Sequence, residues 1–404
     1  MKRFRVLVGM LIAATAVVVV LWVVVKPSAP LPVPVNALWV TRFDYHTPED
    51  VRRIIDNVTK SGFTDVFFQI RGNGTAFYDS ALEPWAYELS GNRLERLGMD
   101  PGWDPLQLAI DCARPYGLRV HAYMNVMPGW KGTNDPPVSA RQLWTEHPDW
   151  FMVDSLGNTM LPTTGWYSFV NPVLPEVRQH LRGIARELCR YDIAGIHLDY
   201  IRYPYDYHLV AAQHYPDASE EELRRHADFS YDPTSMAALY HRYGWDVTQE
   251  QVADFRRESI TKVVRDISYV MQMERPNACL LSASVLGNPV DGRAHAYQDS
   301  GAWVRGGLVD WAVQMNYSAR LFHGHLEAMR RAAGKKGFAS SVVVGINLKN
   351  DVDDILKEIE TVRHSGCRGI AFFSYSFLFD EQHAPTEKGC ALLGVIGEAT
   401  TRER

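Results

Sequence analysis

The chain has 404 residues, 46% of them hydrophobic and 22% charged, with a formal net charge of −5; this balance excludes a fibrous or disordered chain and leaves ample length for a large core. No Lys/Arg-rich stripe runs along it, so a nucleic-acid partner is not expected. The five cysteines, Cys112, Cys189, Cys279, Cys367 and Cys390, are widely spread with no CxxC spacing, which argues for unpaired structural thiols rather than a zinc site or a disulfide framework.

At the N-terminus, Lys2, Arg3 and Arg5 precede an uncharged run from Val6 to Val25. As a helix this run spans about 30 Å, the thickness of a bilayer core. It is longer than the apolar region of a signal peptide, and the following KPSAPLPVPV has no convincing small-x-small cleavage site. Residues 1–26 are therefore expected to form a signal anchor, a single transmembrane helix, with a cleaved signal as the alternative. The basic flank puts the N-terminal end in the cytoplasm, so the expected location is the cell (inner) membrane with the catalytic domain extracytoplasmic, in the periplasm or at the cell surface. Pro27, Pro30, Pro32 and Pro34 make residues 27–36 a short stiff linker.

From Ala37 onward, short apolar runs alternate with amphipathic stretches. Strands are expected over 37–42, 64–71, 118–125, 194–199, 279–285, 309–317, 341–346 and 369–375. Between them, TPEDVRRIIDNVTKSG has a Thr cap, a Pro in the first turn, early acids and a Gly stop, and NPVLPEVRQHLRGIARELCRY, QVADFRRESITKVVRDISYVMQ and DVDDILKEIETVRHSG repeat apolar residues near a period of 3.6. Strands alternating with helices predict an α/β fold, a (β/α)8 TIM barrel occupying residues 37–404. A doubly wound open sheet is the weaker alternative, because no strand is followed by a Gly-rich phosphate turn. The long segments follow strands two to five and would lie at the C-terminal face of the strands, where barrel enzymes keep their active sites.

The strands end in hydrogen-bonding side chains, as a polyhydroxylated ligand requires. Arg71, His121, Asn125, His197, Arg202, Tyr203, Gln314, Asn316, Tyr317 and Tyr375 are the expected substrate-binding residues. His197 and Asp199 could share a strand face with His121 as a third metal ligand. The His-x-His start and the later Lys and Asp of amidohydrolase barrels are absent, however, so neither metal nor cofactor is expected. Glycoside hydrolysis instead needs two carboxyl groups, about 5–5.5 Å apart for retention and about 6.5–9.5 Å for inversion. Asp199, closing GIHLD with Arg202 three residues on to keep it ionised, is the first candidate. For the second, Glu83 sits among Tyr78, Trp85 and Tyr87, surroundings that could desolvate it and raise its pKa toward that of a general acid; Asp79, Asp291 and Asp299 remain open.

LWVTRFD, FFQIRGNGTAFYDSALEPWAYELSG, DPLQLAIDCARPYGLRVHAYMN, the stretch ending GIHLDYIRYP, AYQDSGAWVRGGLVDWAVQMNYS and GIAFFSYS together resemble, in order and over residues 37–398, the glycosyl-hydrolase-like family 10 barrels. That family includes divisome-associated hydrolases of peptidoglycan glycan strands freed of stem peptides. The resemblance implies a TIM-barrel glycosidase in an extracytoplasmic setting, with Asp199 matching the strand-four Asp and Glu83 the loop Glu before Pro-Trp. GIHLD is also similar to the strand-four nucleophile segment of α-amylase-type barrels, though His197 stands where those carry Arg, and strand five here ends without their acid. Where many relatives have a second Asp directly after the first, this chain has Tyr200, so a role for paired Asp residues does not carry over. The expectation is a membrane-anchored glycoside hydrolase of a bacterial wall or matrix polysaccharide, catalysed by Asp199 and Glu83. A non-catalytic glycan-binding barrel is the alternative and a metal-dependent polysaccharide deacetylase the third reading.

Overall fold

The computed structural model describes residues 34–398. The expected anchor, residues 1–26, and the linker as far as residue 33 lie outside them. The last expected linker residues, Val35 and Asn36, are not linker: they open the first strand. Among the described residues no helix is long and apolar enough to cross a membrane.

In chain order the strands are β1 (Val35–Val40), β2 (Asp65–Arg71), β3 (Arg119–Asn125), β4 (Pro128–Lys131), β5 (Tyr167–Phe169), β6 (Gly195–Asp199), β7 (Leu280–Leu286), β8 (Trp311–Met315), β9 (Val342–Asn347) and β10 (Gly369–Phe373). Eight of them close a barrel in the order β1-β10-β9-β8-β7-β6-β3-β2, while β4 and β5 form a separate two-stranded sheet. Every pairing within the barrel is parallel. The expected (β/α)8 architecture is therefore present. The open-sheet alternative is excluded by closure of β1 on both β2 and β10.

Strand alternation explains the packing. Val35, Ala37, Trp39, Phe67, Tyr123, Trp311, Val313, Val343 and Ala371 form one cluster that fills the barrel interior. The intervening positions, such as Leu38, Val66, Ala122 and Val344, join the larger cluster beneath the helices. The interior stacks in layers because successive inward residues on neighbouring strands lie side by side. At the floor, Gly195 allows a close approach: a Cβ there would lie 2.4 Å from His121 Nδ1.

The helices follow their sequence signals. Helix α1 (Pro48–Lys60) starts with Thr47 and Asp50 in a reciprocal capping box and Pro48 in the first turn, and buries Val51, Ile54, Ile55 and Val58. Helices α2 (Pro175–Leu188), α3 (Gln249–Glu274) and α4 (Val352–Arg363) match the other three expected amphipathic stretches. The β4–β5 ribbon belongs to the long insertion after β3, and the insertion after β6 carries three helices before α3 begins.

Candidate active site

Asp199 is the last residue of β6, with Gly195 and His197 below it on the same inward face. Its strand partner is Asn125, the last residue of β3. Both stand at the C-terminal mouth of the barrel. Three groups address the Asp199 carboxylate. Tyr123 donates its hydroxyl to Oδ2 at 2.9 Å, the Tyr200 backbone N–H donates to Oδ1 at 2.7 Å, and Arg202 Nη1 stands 3.6 Å from Oδ1. Tyr200 makes the turn possible by adopting a positive φ of 49°, a conformation that non-glycine residues enter at a cost and that gathers at functional sites. The Arg202 guanidinium then lies over the Tyr200 ring, 4.3 Å from its centroid.

Aromatic rings wall this mouth. Tyr200 meets Tyr167, Phe169 and Trp166 edge-on, at 5.4, 6.0 and 6.1 Å between centroids. Lys131 Nζ lies 5.4 Å from the Tyr167 centroid, so the ribbon that supplies Lys131 and Tyr167 reaches the site. Tyr317, just past β8, faces the same charges: burial pushes its pKa well above the usual phenol value, Asp199 adds to the rise and Arg202 opposes it. Burial does the same to Tyr123, with Asp199 reinforcing it, so Tyr123 remains a hydroxyl donor to the carboxylate.

Glu83 departs from expectation. It is buried and bound by Arg71 through Oε1 and Oε2, at 2.6 and 2.8 Å, and by His180 Nε2 at 2.9 Å. Burial alone raises its pKa, but Arg71 and then His180 outweigh it and hold the carboxyl at about 2. This is a fixed anion, not a proton donor. Arg71 uses its remaining reach on the backbone carbonyls of Asn125, Val126 and Pro128, tying the end of β2 to the start of the next loop instead of presenting itself to a ligand.

Other expected binding residues divide by side-chain direction. Asn125, Arg202 and Tyr317 lie around Asp199. His197 lies one layer lower, buried, its ring stacked on Phe67 at 4.0 Å. Its Nδ1 meets Ser282 Oγ at 2.8 Å, and its Nε2 accepts from Trp39 Nε1–H at 3.0 Å and meets Ser284 Oγ at 2.9 Å. Burial, reinforced by His121, drives its pKa well below the usual value, so it is a neutral floor residue. His121 sits lower still, with Nε2 2.8 Å from Asp65 Oδ1; it belongs to the floor, and the three potential metal ligands His121, His197 and Asp199 occupy successive layers.

Gln314 and Asn316 point out of the barrel, because the inward residues of β8 are Trp311 and Val313. Gln314 Nε2 donates to the Gly287 and His325 carbonyls, and Asn316 Nδ2 to the Phe322 carbonyl. They hold loops down. Tyr203 turns away toward Ser230 and Ser259, and Tyr375 toward Asn57 and His383.

Asp206, which the sequence reading passed over, stands in the loop beyond Arg202. Burial raises its pKa against the pull of Arg202. Its Oδ1 is buried and accepts no hydrogen bond. Tyr123 was also missed, although its place between His121 and Asn125 on the inward face of β3 was a readable signal. Tyr167 and Lys131 had none, since only the ribbon brings them to the mouth.

The sequence pattern of the Glycosyl hydrolase-like 10 family matches residues 34–352. Glycosyl hydrolase YngK of Bacillus subtilis is 29% identical over 226 residues, covering 55% of this chain and 37% of that protein. Glycosyl hydrolase DigH of Escherichia coli K12 is 25% identical over 288 residues, covering 65% of this chain and 56% of that protein. The chain thus spans between about a third and somewhat over half of these relatives. Among solved structures, the PgaB (BpsB) glycoside hydrolase domain of Bordetella bronchiseptica aligns with a TM-score of 0.60 at 10% identity, covering 92% of this chain and 100% of that one. The β-amylase catalytic domain of Paenibacillus polymyxa aligns at 0.63 and 12% identity, covering 91% and 99%. At such identities these two speak to the fold.

Proposed function

The chain belongs to the Glycosyl hydrolase-like 10 family, and from that premise we propose that it hydrolyses O-glycosidic bonds of a bacterial cell-wall or matrix polysaccharide at the barrel mouth. One observation carries the reading: Asp199 stands at the C-terminal end of the fourth barrel strand, where barrel enzymes keep their active sites, among Tyr123, Tyr200, Arg202 and Tyr317. In this mechanism Asp199 acts as the ionised carboxylate that attacks or stabilises the anomeric carbon. Glu83 has no part as the acid, being held ionised by Arg71 and His180. We assign that role to Asp206, which stands in the loop beyond Arg202 with Oδ1 buried and free of hydrogen bonds and whose carboxyl burial raises above its ordinary value against the pull of Arg202. The reaction needs no cofactor. The uncharged run Val6 to Val25 supports anchorage in the inner membrane with the barrel extracytoplasmic.

Reducing-sugar release from peptide-free glycan strands tests the reading. Asp199→Asn should lower turnover by about 10²- to 10⁴-fold while still binding the strands, and Asp206→Asn should lower it most where the leaving group needs protonation. Release equal in wild type and Asp199→Asn would overturn the role of Asp199, and no release by either, with binding intact in both, would instead make this a glycan-binding barrel without catalysis.

A further inference from the structure

Five arginines are buried among the described residues: Arg42, Arg71, Arg202, Arg256 and Arg257. Four have hydrogen-bond acceptors for their guanidinium groups: Tyr167 for Arg42, Glu83 and backbone carbonyls for Arg71, the Tyr297 hydroxyl and the Phe229 carbonyl for Arg256, and Glu250 and Asp254 for Arg257. Arg42 and Arg256 leave only Nε buried and unpartnered, whereas Arg202 makes no hydrogen bond at all. Its Nε and Nη1 are buried with no hydrogen-bond partner, and its nearest carboxylate oxygen, Asp199 Oδ1, is 3.6 Å away, an ion pair beyond hydrogen-bonding range. A guanidinium carries five N–H donors in a rigid plane. Here that plane rests over the Tyr200 ring, and Tyr200 is fixed by its own N–H bond to Asp199. Buried donors without acceptors are rare and call for a physical reason. The reason at hand is an acceptor that arrives with the ligand.

Charge selects the kind of acceptor. The positive charge of Arg202 already faces the Asp199 carboxylate, so an anionic substituent would add negative charge beside it. An uncharged oxygen carries no such penalty. Asp199, with one bond on each oxygen, still has lone pairs for a hydroxyl donor. We propose that Arg202 is a substrate-contacting, specificity-determining residue whose guanidinium donates to uncharged oxygen atoms on a neutral sugar ring held against Asp199. The proposal rests on the glycan-directed reading above and adds to it the charge class of the sugar bound at this site.

The test uses the whole protein with three probes, the neutral hexamer of N-acetylglucosamine, the cationic hexamer of glucosamine and anionic hexagalacturonate, with binding followed by calorimetry and hydrolysis by reducing ends. Wild type should bind the neutral hexamer in preference to the anionic one. Arg202→Met should weaken neutral binding by about 10- to 100-fold, and Arg202→Lys, which keeps the charge and loses the fork, should recover only part; melting curves show that both variants fold. Where a probe is hydrolysed, the loss should fall mainly on KM. Preference for hexagalacturonate, or unchanged neutral binding in Arg202→Met with only the acid limb of kcat against pH displaced, overturns the proposal, the latter leaving Arg202 as an electrostatic partner of Asp199. Arg202-dependent binding without any hydrolysis removes the hydrolase reading and leaves this inference standing, whereas a wild type that binds none of the three overturns both.

Discussion

Arg71 and Arg202 are both buried, both face a carboxylate and both stand at the C-terminal ends of barrel strands, yet they are built for opposite purposes. Arg71 closes a complete network, with two bonds to Glu83, His180 behind that carboxylate, and backbone carbonyls taking up the other donors. Arg202 stands beside Asp199 without a hydrogen bond. The first arrangement leaves nothing for a ligand to add; the second leaves buried donors and carboxylate lone pairs unpaired. Saturation of the surrounding hydrogen bonds, more than burial or charge, separates the carboxylate that stiffens the barrel from the one proposed here for chemistry.

The sharpest way to break that contrast is to remove one member of each pair. Glu83→Gln leaves the Arg71 charge buried without its counter-ion and should destabilise the fold by about 3–5 kcal/mol, read as a lower urea midpoint. Arg202→Met should cost no more than about 1 kcal/mol, since it deletes no hydrogen bond. Comparable losses in the two variants would erase the distinction. The pH dependence of stability probes the same pair. The Glu83 carboxyl lies at about 2 in the fold against an ordinary value of 4.5. A depressed folded pKa gives stability that is complete above 4.5 and is lost as pH falls toward 2. Wild type should therefore lose stability more steeply than Glu83→Gln over that window.

Much of the barrel was legible because its signals are local. The Thr47 cap, the apolar spacing of α1 to α4 and the short strand runs are each decided within a few residues, and closure of the barrel follows from their alternation. The site was less legible where it depends on side-chain parity or distant partners. Gln314 and Asn316 were expected at the ligand face, but Trp311 and Val313 occupy the inward positions of β8, and residues one step along a strand must face the opposite way. Glu83 was expected to be a proton donor from its aromatic surroundings. Its chemistry is set instead by Arg71 twelve positions earlier and His180 on α2, partners that no reading of the local stretch supplies. Asp199 stood out because a carboxylate closing a buried strand is conspicuous in the sequence.

Smaller perturbations sharpen the contrast between floor and mouth. Gly195→Ala would drive a methyl group to within 2.4 Å of His121 Nδ1 and 2.6 Å of the Leu280 carbonyl oxygen, an overpacking that should cost about 1–3 kcal/mol in urea denaturation. Asp44 carries the opposite sign from Glu83. Burial raises its pKa to about 6 from 3.8 despite the bonds from Thr41, so the stability tied to its protonated form is complete below 3.8 and is lost as pH rises through 6. Asp44→Asn should be more stable than wild type at pH 7, by about 1 kcal/mol once the partial exposure of the carboxyl is discounted, and the gain should vanish below pH 4.

The gentlest change is Tyr123→Phe. It deletes only the hydroxyl that donates to Asp199 Oδ2 at 2.9 Å and keeps the ring that fills the barrel interior and meets His197 edge-on at 5.5 Å. If Asp199 were a structural carboxylate of the Glu83 kind, losing this donor would strand a buried acceptor and show itself in the urea midpoint. On the hydrolase reading the hydroxyl orients a carboxylate that opens onto the cleft, where water or substrate can replace the missing bond. The urea midpoint should then stay near that of wild type, while kcat/KM on a cleavable glycan falls by about three- to tenfold, the worth of one ordinary hydrogen bond. A lowered midpoint with unchanged turnover would move Asp199 into the same structural class as Glu83.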